Sequence, residues 1–162
     1  MISRRLAVVS LMALAACTKK APVALTPDAS NAFLATNAKA PGVTVTRSGL
    51  QYKILRSGLP TGLRPKPADE IKVNYEGKLV TGEVFDSSYE RGSPAVMTLN
   101  GLVPGWIEAL QLMRPGDEWM LWLPPALGYG DKSPPPIPPG SVLIFKLELI
   151  DVLPDQSSVG RG

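Results

Sequence analysis

"VPGWIEALQLM", Val103 to Met113, breaks the pattern that surrounds it. On either side, apolar residues recur at every second position. Examples are Tyr52 and Ile54 in "LQYKILR" (50–56), Ile71, Val73 and Tyr75 in "EIKVNYEG" (70–77), and Leu143, Phe145, Leu147 and Leu149 in "SVLIFKLELIDV" (141–152). A period of two puts alternate side chains on one face of a strand. In the quoted stretch Val103, Trp106, Ile107 and Leu110 fall at helical spacing, and Pro104 sits at the start, where a missing N–H costs nothing. The expectation is an α+β domain: an antiparallel, twisted β-sheet wrapped around one short α-helix that covers its apolar face. Its core would comprise Ile71, Val73, Trp106, Leu110, Leu121, Phe145 and Leu147. Burying each large side chain contributes roughly 1.5–3 kcal/mol, so the domain folds without staples.

Further strands flank these. "VTV" (43–45) comes first, "LVTGEVFDSS" (79–88) turns at Thr81-Gly82, and "PAVMTL" (94–99) leads to the helix. "RPGD" (114–117) turns into "EWMLWLP" (118–124), while "RSGLPTGLRPKPAD" (56–69) is a loop of glycine and proline. Upstream, Thr26-Pro27 offers an N-cap followed by proline at the first helical position, and "DASNAFLATNAK" (28–39) reads as a short helix stopped by Pro41-Gly42. Its few apolar residues, chiefly Phe33 and Leu34, leave two readings open: packing on its own domain, or contact with a partner.

The start of the chain reads differently. Arg4 and Arg5, the apolar stretch Leu6–Ala16 and the small residues that close it form a secretory signal over residues 1–16, too short to span a membrane itself. Leu14-Ala15-Ala16-Cys17 is similar to a bacterial lipoprotein box, which implies lipidation of Cys17, with residues 17–25 as the lipidated cysteine and tether. Several acyl chains together anchor stably where one does not. A buried N-terminal helix and a leftover structural cysteine are the alternative readings. Cys17 is the only cysteine, so no disulfide forms within the chain. Residues 26–42 form the short helix and lead-in, 43–153 the domain, and 154–162 a flexible tail.

Composition removes many function classes. The chain has 17 Lys and Arg against 14 Asp and Glu; without residues 1–16, which hold Arg4 and Arg5, the count is 15 against 14. No basic stripe remains, so nucleic acid is not an expected partner. There is no histidine, which excludes Ser-His-Asp and Cys-His nucleophile systems and imidazole or thiolate zinc sites. Neither GxxxxGK[ST] nor GxGxxG occurs. No metal and no cofactor is expected.

One stretch remains: "GYGDKSPPPIPPG", Gly128 to Gly140, with five prolines between two strands of high hydrophobicity. Each proline fixes φ near −65° and removes a donor, so the segment is a stiff loop. It is either a linker or a flap holding Tyr129 and Ile137 over something.

Together, "VNYEGKLVTGEVFDSS", "LVPGWIEALQLMRPGDEW" and "LGYGDKSPPPIPPGSVLIFKLELIDV" resemble the FK506-binding (FKBP) family of peptidyl-prolyl cis-trans isomerases. The resemblance covers about Gly49 to Leu153, and "NAFLATNAKAPGVTVTRSGLQYK" is similar to the lead-in of the bacterial macrophage-infectivity-potentiator type. It implies a pocket walled by Tyr75 and Phe85, with Asp86 at its edge and Arg91 steadying that aspartate. Leu102 and Val103 would lead to Trp106, the floor for a proline ring, with Tyr129 and Ile137 from the flap and Phe145 at the back. Tyr75, Phe85, Asp86, Trp106 and Tyr129 would be catalytic; Leu102, Val103, Ile137, Phe145 and Arg91 would bind substrate. Two departures stand out: Ala95 replaces a common wall phenylalanine, and Pro136 replaces a common isoleucine, removing one backbone donor. On this reading the prolines freeze the flap, so that Tyr129 and the Ile137 N–H arrive already positioned.

The implied partners are proline-containing polypeptides, FK506- or rapamycin-like macrolides, and a membrane reached through Cys17. The implied place is the cell envelope after export, with Thr18 rather than aspartate behind the cysteine favouring the outer membrane. Dimeric relatives carry a long N-terminal helical domain. Residues 27–39 supply only about 20 Å of helix at 1.5 Å per residue, so a monomer is expected. A non-catalytic binding module using the same groove is the competing reading, with Ala95 and Pro136 as its footing.

Overall fold

A computed structural model of the chain describes residues 26–155; the signal, Cys17 and the tether to residue 25, and residues 156–162 of the tail, lie outside the described residues. Helix α1, Pro27–Asn37, begins as its sequence dictates: Thr26 is extended and its Oγ1 accepts the Ala29 N–H at 3.2 Å. It stops two residues earlier than the expected Lys39. There Lys39 donates to the Thr36 carbonyl and Ala40 to Asn37, three-residue closures that tighten the chain before Pro41 and Gly42, whose φ is +79°. The helix packs on its own domain. Asn37 Nδ2 donates to Gln51 Oε1 at 2.8 Å, and Gln51 Nε2 returns a bond of 2.8 Å to the Leu34 carbonyl.

The strands are β1 (Thr44–Val45), β2 (Gln51–Arg56), β3 (Glu70–Leu79), β4 (Val84–Ser87), β5 (Ala95–Thr98), β6 (Glu118–Leu123) and β7 (Leu143–Leu153), all paired antiparallel. Their order is β1-β2-β6-β7-β3-β4, with β5 also on β3. The long pair β3–β7 runs from Glu70↔Leu153 to Leu79↔Leu143 and forms the spine of the sheet. The other edge of β3 is shared: its start pairs with β5 and its end with β4, and residues 88–94 loop out between them.

Helix α2, Pro104–Leu112, crosses the inner face. Extended Val103 and Pro104 at the first position set its start, and Trp106, Ala109 and Leu110 point into the sheet. Gly105 lets it sit close, because a Cβ there would lie 2.5 Å from Leu123 Cγ. All seven expected core residues are at most 4 % exposed, so the period change at Val103 marks the covering helix.

Candidate active site

The strands deliver three aromatic rings to one end of α2. Tyr75 comes from the middle of β3, Phe85 from β4 and Phe145 from β7, and Trp106 rises from the first turn of α2. Trp106 meets Tyr75 edge-on (5.0 Å, 85°) and Phe145 likewise (5.1 Å, 79°), while Phe85 stands perpendicular to Phe145 at 5.6 Å. Edge-to-face pairs contribute about 0.5–1.5 kcal/mol each beyond burial, so the rings lock one another. They enclose a pocket of about 150 Å³, completed by Leu102, Val103, Met97 and Gly101, with Asp86 and Tyr129 at its mouth. A dry cavity of about that size holds a benzene-sized ring, which is larger than a pyrrolidine.

Gly77 makes this packing possible. A Cβ at this position of β3 would lie 2.6 Å from Phe85 Cζ and 2.8 Å from Phe145 Cε1, so both rings lie against bare backbone.

A charged network closes the rim. The Tyr75 hydroxyl donates to Asp86 Oδ2 at 2.5 Å, Arg91 Nη1 pairs with Asp86 Oδ1, and Arg91 Nη2 donates to the Tyr75 hydroxyl at 2.8 Å. The guanidinium also lies 5.3 Å from the Tyr75 ring centre. Burial, then the bond to Asp86, pushes the Tyr75 phenol above its ordinary value; burial, then the Asp86 charge, does the same for Tyr129. Both phenols therefore remain donors at neutral pH.

The flap follows a one-turn helix at Pro125–Leu127 and is braced from within. Gly130 N–H donates to the Pro125 carbonyl, Gly140 N–H to Gly130, and Ser133 Oγ reaches the Gly130 and Pro138 carbonyls. Tyr129 projects from it, 39 % exposed.

Of the residues expected at the site, Tyr75, Phe85, Asp86, Leu102, Val103, Trp106, Tyr129 and Phe145 line this one pocket, and Arg91 reaches its rim. Ile137 differs. Its side chain is buried in the core, and its N–H donates to the Pro134 carbonyl at 3.0 Å, closing a turn around the cis Pro135–Pro136 bond. The expectation that this N–H faces a substrate is corrected: the prolines stiffen the flap by engaging it. Ala95 packs on the core, and Met97, two residues on along the same face of β5, lines the pocket instead. Met97, Gly101 and Gly77 escaped the sequence reading. Period two from Ala95 points to Met97, and a glycine inside a strand signals close approach at Gly77.

Among the described residues no cluster of three or more His, Cys, Asp or Glu is placed to hold a metal ion, and no helix is long and apolar enough to cross a membrane. The pocket offers aromatic walls, neutral phenol donors and one paired carboxylate.

A β-sheet closed over a short helix, with an aromatic pocket of proline-ring size at the helix start, defines the class of FKBP-fold domains. The model of the FKBP-type peptidyl-prolyl cis-trans isomerase family matches residues 62–150, and that of the domain amino-terminal to such isomerases matches residues 8–54. The chain belongs to the FKBP-type peptidyl-prolyl cis-trans isomerase family. It is 48 % identical over 126 residues to the peptidyl-prolyl cis-trans isomerase Mip of Coxiella burnetii, covering 77 % of this chain and 54 % of that protein. To the outer membrane protein MIP of Legionella longbeachae it is 46 % identical over 123 residues, 75 % of this chain and 52 % of that one. The chain thus spans about half the length of these curated relatives. Among solved structures, FkpA from Escherichia coli superposes with a TM-score of 0.74 at 41 % identity, over 77 % of this chain and 58 % of that one. The peptidyl-prolyl cis-trans isomerase from Pseudomonas syringae gives 0.72 at 33 %, over 78 % and 92 %.

Proposed function

We propose that the chain accelerates cis–trans isomerisation of X-Pro bonds in exported polypeptides. The observation that carries this is the ring-sized pocket floored by Trp106 and walled by Tyr75, Phe85 and Phe145, with Asp86 and Tyr129 completing its lining. The reaction breaks no σ bond. It twists a C–N bond whose conjugation sets a barrier of about 18–20 kcal/mol. The twisted amide has lost charge separation, so its carbonyl needs water less than the planar one does, and an apolar pocket favours the transition state over the substrate. Tyr129 and the Asp86–Arg91–Tyr75 rim hold the peptide in place. A 10⁵-fold acceleration needs only about 7 kcal/mol from all of this, which requires no proton transfer, metal or cofactor.

The proposal extends to place and partners. The signal over residues 1–16, Cys17 as lipid anchor and likeness to a relative named an outer membrane protein support an envelope site, with the tether holding the domain off the membrane. Macrolides of the FK506 or rapamycin type would occupy the same pocket. A form beginning near Thr26 is a monomer; twice the chain mass in light scattering contradicts this.

The deciding experiment follows cis-to-trans conversion of an X-Leu-Pro-Phe peptide. Acceleration that scales with enzyme supports the reading, and none rejects it. A second reading, a binding module that docks prolines without turning them over, is favoured by the engaged Ile137 N–H, which leaves the substrate one backbone donor fewer. It predicts peptide binding with no acceleration.

A further inference from the structure

Between β4 and β5 the edge of β3 has no strand partner at Tyr75, the residue whose phenol carries the rim network. Ser88 fills the gap. Its N–H donates to the Tyr75 carbonyl at 2.9 Å, and its Oγ accepts the Tyr75 N–H at 2.9 Å, so a side chain completes what a strand would otherwise supply. Oγ then has the Tyr75 carbonyl at 3.3 Å and Asn74 Oδ1 at 3.4 Å as acceptors for its own proton. Ser88 is fully buried.

The loop 88–94 hangs from this point. Glu90 N–H donates to Ser87 Oγ at 3.3 Å, Gly92 N–H to the Tyr89 carbonyl at 3.0 Å, and Ser93 N–H to the Ser88 carbonyl at 3.4 Å. That path returns Arg91 across Asp86 and the Tyr75 hydroxyl. Arg91 is itself exposed at the surface, so its placement depends on the loop that carries it.

We propose that Ser88 is a positioning residue for isomerisation: its hydroxyl, bound to the Tyr75 backbone, fixes the loop that lays Arg91 over Asp86 and Tyr75. The inference rests on the isomerase reading above. Ser88 touches no substrate; it acts through the rim. Without the hydroxyl, a buried Tyr75 N–H is left unpaired and the loop keeps only its backbone bond to the Tyr75 carbonyl, so Arg91 drifts and Asp86 retains the Tyr75 hydroxyl alone.

The test is a double-mutant cycle with a spectroscopic arm. Ser88→Ala should lower kcat/KM up to about tenfold, the scale of one hydrogen bond. In an Asp86→Ala background the same change should lower it no further, because the two residues act through one network. The Arg91 guanidinium ¹H–¹⁵N signals, separate while the group is held, should merge in Ser88→Ala. Full activity in folded Ser88→Ala, activity losses that multiply in the double variant, or unchanged Arg91 signals each overturn the proposal. If Ser88→Ala does not fold, Ser88→Cys carries the test: it has nearly serine's size and a poor acceptor, and the same merging of signals is expected with a smaller loss. If the wild type does not accelerate exchange, the isomerase reading fails, and the Arg91 signals alone decide whether Ser88 holds the loop.

Discussion

Gly77→Ala adds one methyl to the middle of β3 and tests the pocket's construction. The new Cβ would lie 2.6 and 2.7 Å from Phe85 Cζ and Cε2 and 2.8 Å from Phe145 Cε1. Carbon–carbon contacts settle at about 3.5–4.0 Å, so the rings must withdraw by about 1 Å. Phe145 is 4 % exposed and wedged against Trp106, so the half-buried Phe85 takes most of the movement. Crowding of this kind costs about 1–3 kcal/mol of stability. A wall displaced by about 1 Å should lower kcat/KM about 10- to 100-fold. Denaturant unfolding and the prolyl peptide assay read the two losses separately. Adding Phe85→Leu should restore stability by relieving the clash, yet leave activity low, because the wall is then gone. Gly82→Ala serves as the control. Gly82 has φ +87° with nothing within 4 Å of a Cβ, so the change strains the backbone by roughly 1–2 kcal/mol and leaves turnover intact. A Gly77→Ala protein that unfolds and turns over like the wild type would refute the argument that bare backbone sets the ring positions.

Tyr129→Phe should lower kcat/KM up to about tenfold, the value of one hydrogen bond, and Asp86→Ala at least as much, since it also releases Arg91; if both together leave exchange rates untouched in a folded protein, isomerisation does not occur in this pocket. The rate should be nearly flat from about pH 6 to 9, because the mechanism needs no proton transfer, and a bell-shaped profile near neutrality contradicts it. Stability should hold a plateau between two limits. Tyr75, Tyr89 and Tyr129 are raised chiefly by burial, so their contribution is full below the ordinary 10.0 and is lost as pH climbs through their higher folded values. Glu148 is lowered by the bond from Asn74 and then by Arg56, so its contribution is present above 4.5 and lost as pH falls through its lower folded value; urea midpoints across pH check both ends. Cys17→Ala should abolish incorporation of a fatty-acid analogue, and label persisting in the variant rejects the anchor.

What the sequence discloses depends on the kind of contact. Strands 70–77 and 141–152 are legible because burial on one face imposes period two, and α2 because Val103, Trp106, Ile107 and Leu110 break that period. The aromatic pocket residues become a site only jointly. Singly, each is an ordinary core residue, as Trp106 and Phe145 at 4 % exposure still are. Contacts that pass through the backbone leave less trace. The bond from the Tyr75 N–H to Ser88 Oγ joins residues thirteen apart, and nothing in "FDSS" says which of the two buried serines meets the Tyr75 backbone. The Ile137 N–H is engaged because a turn closes at Pro134, which the proline count does not reveal. Gly77 announces a close approach but not the two rings that make it.

On the proposed isomerase reading, the rim network accounts for a carboxylate at the mouth of a pocket that favours the twisted amide by being apolar. An unpaired Asp86 would hold water beside the substrate carbonyl, and water favours the planar, charge-separated amide over the twisted one. Arg91 cancels that charge and Tyr75 takes the second carboxylate oxygen, so both acceptors face protein donors. What remains at the mouth is directional and paired in charge, with side chains of Arg91 and Asp86 still 46 % and 42 % exposed. The cation has to come from the surface, since burying it would add a desolvation cost that the pair need not repay. Arg91 therefore reaches in from an exposed loop, and the buried anchoring falls to the uncharged hydroxyl of Ser88 at the loop's base.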